Sequence, residues 1–132
     1  MKRLMAEQGA DAARIAGLML IAPAWDMTEA LMWAAFPEAA RRQVETEGVF
    51  LRPSLYGDPY PITRGLIEDG RRHLIGGVPF DPGRPVRILH GRLDPDVPYR
   101  HTEELLGLLA GGHAEVTAID DGDVKVPDQM EM

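Results

Sequence analysis

The sequence predicts an α/β fold of about three parallel strands with flanking helices and a helical insertion. Three observations carry that expectation. Ala16-Gly17-Leu18-Met19-Leu20-Ile21-Ala22 is a continuous apolar run without alternation, as in a parallel strand covered on both faces. Val86 to His90 and Glu115 to Ile119 are two further short strand patterns. Between them, Pro98 to Ala110 has the composition of a helix with Leu105, Leu106, Leu108 and Leu109 on its buried side. Strand, helix and strand in this order form a right-handed crossover, so the three strands are expected side by side in chain order.

The elements follow in sequence. Lys2 to Arg14 has helical composition and leads into the first strand, which Pro23 stops. Trp25 to Arg84 is helical and rich in turns, without a strong strand pattern, and reads as an inserted cap. Asp26 followed by Glu29 has capping-box spacing and predicts a helix through Leu31, Met32 and Trp33. Pro37 opens a second helix that Gly48 ends, with Glu38/Arg42 and Arg41/Glu45 spaced as i,i+4 pairs on a solvated face. Gly57-Asp58-Pro59-Tyr60-Pro61 is a turn before a third helix through Leu66, Ile67 and Leu74. Gly76 to Pro85 is a Gly- and Pro-rich return to the sheet. Pro98 in the first turn and Gly111-Gly112 after the last turn bound the final helix.

Composition narrows the function. At 132 residues the chain is long enough to bury a core. Its net charge of −7 repels phosphate backbones, so nucleic acid is not an expected partner. With no cysteine, disulfides and thiolate chemistry are excluded, and a reducing compartment, the cytoplasm, is the expected location. The longest apolar stretch, Ile15 to Trp25, contains Gly17 and Pro23 and falls short of the roughly 20 residues a membrane span needs. No membrane insertion and no cofactor are expected.

The best candidate for chemistry is Asp94. Val86-Arg87-Ile88-Leu89-His90-Gly91-Arg92-Leu93-Asp94-Pro95-Asp96-Val97-Pro98 reads as a buried strand, a tight turn and a helix start, and ligands of parallel sheets gather outside the carboxyl ends of the strands. The pattern His-Gly-x-x-Asp-x-x-Val-Pro resembles the segment bearing the acidic triad member in the α/β-hydrolase superfamily, whose chain order is nucleophile, acid, histidine. Leu18 to Ala24, Glu29 to Trp33, Leu55 to Arg64 and Ile67 to Leu74 are similar to bacterial relatives of the mitochondrial acyl-protein (palmitoyl) thioesterase, also described as an acyl-glucuronide esterase. The resemblance runs from about residue 1 to Asp123. It implies the C-terminal half of that fold: the sixth strand, the cap, the seventh strand with the acid, and the eighth strand. On this reading residues 1–132 are one partial α/β-hydrolase domain with a cap insertion at about 25–84 and an atypical tail at 124–132. The implied activity is a serine hydrolase acting on small acyl esters or thioesters, with Asp94 as the catalytic acid that orients the imidazolium.

The chain departs from that family twice. Its only serine, Ser54, lies in Arg52-Pro53-Ser54-Leu55 with no flanking glycine, so no Gly-x-Ser-x-Gly elbow is present. The family follows its eighth strand with Gly-Asp-His, whereas this chain reads Gly122-Asp123-Val124. Lys125, one of two lysines against twelve arginines, marks a change of composition in the tail that a shifted reading frame or altered terminus would produce. With nucleophile and histidine missing, the chain alone is expected to be inactive.

Other residues admit plainer readings. Trp25, Trp33, Phe36 and Tyr60 fit a substrate-binding acyl pocket under the cap, or plain core. Asp96 fits a helix start, and His90 a strand-end histidine satisfied by a backbone or carboxylate partner. His73, His101 and His113 are expected on helix or loop surfaces. A metal site built from His90, Asp94, Asp96 and His101 is set aside, because ligand-type residues alone do not fix one. The alternative function is a non-catalytic binding module using the helical cap. An unpaired edge on the strand at 16–22 also predicts self-association.

Overall fold

The computed structural model describes residues 9–54 and 56–120. In chain order its elements are α1 (Gly9–Ala12), β1 (Leu18–Ile21), a π-helix (Met27–Met32), a 3-10 turn (Trp33–Ala35) and α2 (Glu38–Glu47). There follow β2 (Val49–Arg52), β3 (Tyr60–Thr63), α3 (Arg64–Gly70), a second 3-10 turn (Arg71–His73), β4 (Val86–Gly91), α4 (Tyr99–Leu108) and β5 (Ala114–Ile119). Asp123, where the resemblance ends, the tail at 124–132 and most of the first helix lie outside the described residues. The chain divides into two compact units, Met1–Ala24 with Gly77–Met132, and Trp25–Gly76.

The first unit is built on a parallel sheet in the order β1-β4-β5. Leu18 pairs with Val86, and Val86 with Ala114. The central strand is the most buried: Val86, Ile88 and His90 lie on one face, each at most 2% exposed, as the two-residue period requires. α4 turns His101, Thr102 and Leu105 inward, and Leu109 just past its end is also buried. Two expectations need correction. β1 is not covered on both faces: Met19 and Ile21 alternate with Leu18 and Leu20 onto a face of the sheet that also carries exposed Arg87 and Glu115, and that face is open among the described residues. His101 is buried rather than on the surface, since it shares the inward face of α4 with Leu105, one helical turn on.

The second unit contains strands that the sequence pattern did not indicate. β2 and β3 form an antiparallel hairpin, Val49 opposite Thr63 and Arg52 opposite Tyr60. Phe36, Ala40, Ile62 and Ile67 make its core, with Met32, Trp33 and Phe50 packed against it. Phe36 meets Trp33 and Phe50 edge-on at 6.4 and 5.3 Å, a favoured geometry for aromatic pairs. α2 begins after Pro37 and ends at Gly48, whose φ of 80° suits the left-handed C-terminal cap. Of its two predicted ion pairs, Glu38–Arg42 closes at 3.9 Å. Arg41 instead donates to Trp33 O and Ala34 O. The predicted capping box does not form: Asp26 has φ 51° and makes no side-chain cap to the following π-helix. Its carboxylate accepts from Ile75 N and Gly76 N instead.

Candidate functional site

Asp94 lies three residues past the carboxyl end of β4, on the loop leading to α4. The local sequence accounts for its pose. Asp94 N–H donates to Gly91 O at 3.3 Å, closing the turn after the strand. Its Oδ1 accepts from the N–H groups of Asp96 at 2.9 Å and Val97 at 3.0 Å, the side-chain-to-backbone turn that aspartate favours. Pro95 has no N–H to contribute. The Asp94 side chain is 6% exposed, and its Oδ2 lies 3.7 Å from His90 Nε2, beyond hydrogen-bond range. One carboxylate oxygen is thus held by backbone amides, and among the described residues the other is left able to accept.

His90 closes the strand beneath it, with its side chain wholly buried. Nε2 lies 2.8 Å from Val97 O and Nδ1 2.6 Å from Thr102 Oγ1. The Tyr99 ring packs against the imidazole at 5.4 Å. Arg92 stacks over Tyr99 at 4.6 Å and pairs with Asp120 at 2.8 Å, beyond the end of β5. The backbone partner foreseen for His90 is present; Thr102 was not foreseen, because nothing in the pattern sets a helix threonine opposite a strand histidine. Among the described residues no group of three or more His, Asp or Glu side chains could hold a metal ion.

The four aromatic residues singled out from the sequence all belong to the second unit or its start. Trp33 and Phe36 come together; Trp33 also lines a cleft of about 240 Å³ with Val44, Glu45, Arg64, Ile67, Glu68 and Arg71. Phe36 is in the core. Tyr60 is 42% exposed on β3 beside Arg52. Trp25 is half-buried and does not line that cleft. Ser54 Oγ accepts from Tyr56 N–H in the loop after β2, as in a simple serine turn.

No family model matches the chain. The crystal structure of "Putative hydrolase from Agrobacterium vitis S4" superposes with a TM-score of 0.78 and 36% identity, covering 90% of this chain and 47% of that one. The chain belongs to the α/β-hydrolase superfamily. Alpha/beta hydrolase domain-containing protein 10 from mouse has the same fold, with a TM-score of 0.73 and 23% identity over 92% of this chain and 48% of its own. Among curated proteins, mitochondrial palmitoyl-protein thioesterase ABHD10 of Pongo abelii is 31% identical over 91 residues, and that of Homo sapiens 30% over 91. Each alignment covers 67% of this α/β-hydrolase chain and 29% of the relative. The chain therefore spans about a third of the length of its curated relatives. The three-stranded parallel sheet with flanking helices is the fold class expected from the sequence.

Proposed function

We propose that this chain is the acid-bearing, C-terminal part of a serine hydrolase acting on carboxylic esters or thioesters, with Asp94 as the triad acid. The observation that carries the proposal is the pose of the Asp94 carboxylate. It stands at the carboxyl end of the central strand, with Oδ1 engaged by two backbone amides and Oδ2 without a hydrogen bond among the described residues. Oδ2 is the atom available to accept an imidazole N–H. In the complete reaction a serine attacks the acyl carbonyl and the histidine takes its proton. The aspartate keeps the imidazole in the right tautomer and steadies its positive charge. Similarity to palmitoyl-protein thioesterases supports a fatty acyl thioester as the substrate class.

The 132-residue chain by itself lacks two of those three groups, since Ser54 has no elbow and Val124 stands where the family has histidine. By itself it is expected to hydrolyse neither p-nitrophenyl esters nor acyl thioesters above the buffer rate. Co-expression with an N-terminal hydrolase fragment containing Gly-x-Ser-x-Gly, together with Val124→His, is expected to create hydrolysis. In that assembly Asp94→Asn should lower kcat by about 10³- to 10⁴-fold, as loss of a triad acid does. An assembly that is active and indifferent to Asp94→Asn would remove Asp94 from the mechanism. Hydrolysis by the unassisted chain that disappears on Ser54→Ala would make Ser54 the nucleophile.

A further inference from the structure

The imidazole of His90 is fully buried, yet among the described residues it has no charged partner at hydrogen-bond distance. Its two nitrogens instead join three parts of the first unit. Nε2 reaches Val97 O in the loop after β4, and Nδ1 reaches Thr102 Oγ1 on α4. We infer that His90 is a positioning residue for Asp94, kept in one tautomer by the Val97 carbonyl and braced in place by Thr102. The inference rests on the reading of Asp94 as the acid of the hydrolase.

The tautomer follows from the partners. A carbonyl oxygen has no proton to give, so Nε2 must carry one and donate it to Val97 O at 2.8 Å. A neutral ring then presents only a lone pair at Nδ1, and the Thr102 hydroxyl donates to it at 2.6 Å. The opposite tautomer would turn a lone pair toward Val97 O and leave a buried carbonyl without its donor, which is costly where water cannot replace it. Thr102 is itself 0% exposed, so no water competes for its hydroxyl.

Val97 links this histidine to the carboxylate. Its C=O accepts from His90 Nε2 while its N–H donates to Asp94 Oδ1 at 3.0 Å. Holding Val97 therefore holds the amide that orients Asp94. The same proton leaves Oδ2 alone: Nε2 points to Val97 O, and Oδ2 is 3.7 Å away. The ring fixes one carboxylate oxygen through the backbone and does not occupy the other, which is the arrangement a triad acid needs.

The test begins with the ¹⁵N-labelled 132-residue chain, where long-range ¹H–¹⁵N spectra report which ring nitrogen carries the proton. The expected result is a protonated Nε2 and an unprotonated Nδ1 on His90; the reverse assignment overturns the inference. Thr102→Val, which keeps shape and removes the hydroxyl that braces Nδ1, is expected to leave the proton on Nε2 and to speed amide exchange at Asp96 and Val97 about tenfold. Ile88 in the same strand should stay protected, and Thr102→Ser should restore slow exchange at Asp96 and Val97. Unchanged exchange at Asp96 and Val97 in a folded Thr102→Val chain would refute the positioning role. If Thr102→Val fails to fold, His90→Gln replaces it. With an amide nitrogen that can still meet Val97 O, His90→Gln should hold the two amides to within about threefold of the parent, whereas His90→Ala should release them. Equal exchange in His90→Gln and His90→Ala refutes the role.

In the reconstituted hydrolase Thr102→Val should lower kcat about tenfold with KM unchanged, and Thr102→Ser should recover it. Loss of kcat with Asp94→Asn but not with Thr102→Val would overturn the positioning role and leave Asp94 as the acid. Loss with neither would overturn the reading of Asp94 itself.

Discussion

Asp26 shows how a single carboxylate can tie a segment closed. It sits in the left-handed region at φ 51°, ψ 36°, and its two oxygens accept from Ile75 N at 2.6 Å and Gly76 N at 3.0 Å. These amides lie 49 and 50 residues along the chain, so one side chain ties together the two ends of the second unit. Asp26→Ala removes both bonds and puts a Cβ-bearing residue with no polar compensation in a left-handed conformation. It should cost about 2–3 kcal/mol in urea unfolding, and Asp26→Asn, which keeps one acceptor and tolerates that conformation, about half as much. An unchanged midpoint in the alanine variant would show that the closure contributes nothing. The distance in sequence also explains why the spacing to Glu29 suggested a local cap: a capping box is a four-residue pattern, whereas the real donors are visible only after folding. Asp94 was legible for the opposite reason. Its donors, Asp96 and Val97, are two and three residues away, inside the motif that drew attention to it.

At the scale of elements, strands β4 and β5 and helix α4 were legible because their apolar runs are short and clearly bounded by Pro85, Pro98 and Gly111. The hairpin β2–β3 was not. Pro61 lies inside β3, Pro53 follows β2 and Pro59 precedes β3, and proline within a run argues against a strand unless its missing N–H falls on a free edge. A two-stranded sheet leaves such an edge on each strand, which is how the chain accommodates Pro61. α3 continues directly from the hairpin: Thr63 Oγ1 accepts from Leu66 N–H at 3.1 Å, a side-chain cap that starts the helix. At its end Gly70 is helical, so its backbone would accept any residue, but its neighbour would not. A Cβ there would lie 2.8 Å from Thr28 Cβ and closer still to Oγ1, nearer than real atoms approach. Gly70→Ala is therefore expected to destabilise the second unit by about 1–3 kcal/mol, measured by thermal or urea unfolding. Thr28→Gly, neutral to that clash by itself, should recover part of the loss in the double variant. Additive penalties would show that α3 and the π-helix do not meet at this glycine.

For the whole molecule the governing feature is the edge of the parallel sheet. Leu18 N–H and Ala22 N–H donate to Pro85 O and Leu89 O on β4, so the alternation of a strand directs the backbone groups of Met19 and Ile21 to the other side. Their side chains are 70% and 58% exposed. An apolar strand edge of this kind templates pairing with another strand. We propose that the isolated 132-residue chain uses this edge to associate with a second copy of itself. Sedimentation velocity is expected to show a concentration-dependent rise in sedimentation coefficient, and Met19→Lys with Ile21→Lys should abolish it, because charge on an edge strand blocks edge-to-edge pairing. The N-terminal hydrolase fragment carrying the elbow should compete for the same edge and raise the yield of soluble 1:1 complex. A chain that stays monomeric at every concentration, melts sharply and reversibly, and ignores the fragment would show that β1 needs no partner. In that event the reading that gains is a self-sufficient binding module, with the second unit rather than Asp94 as its working surface.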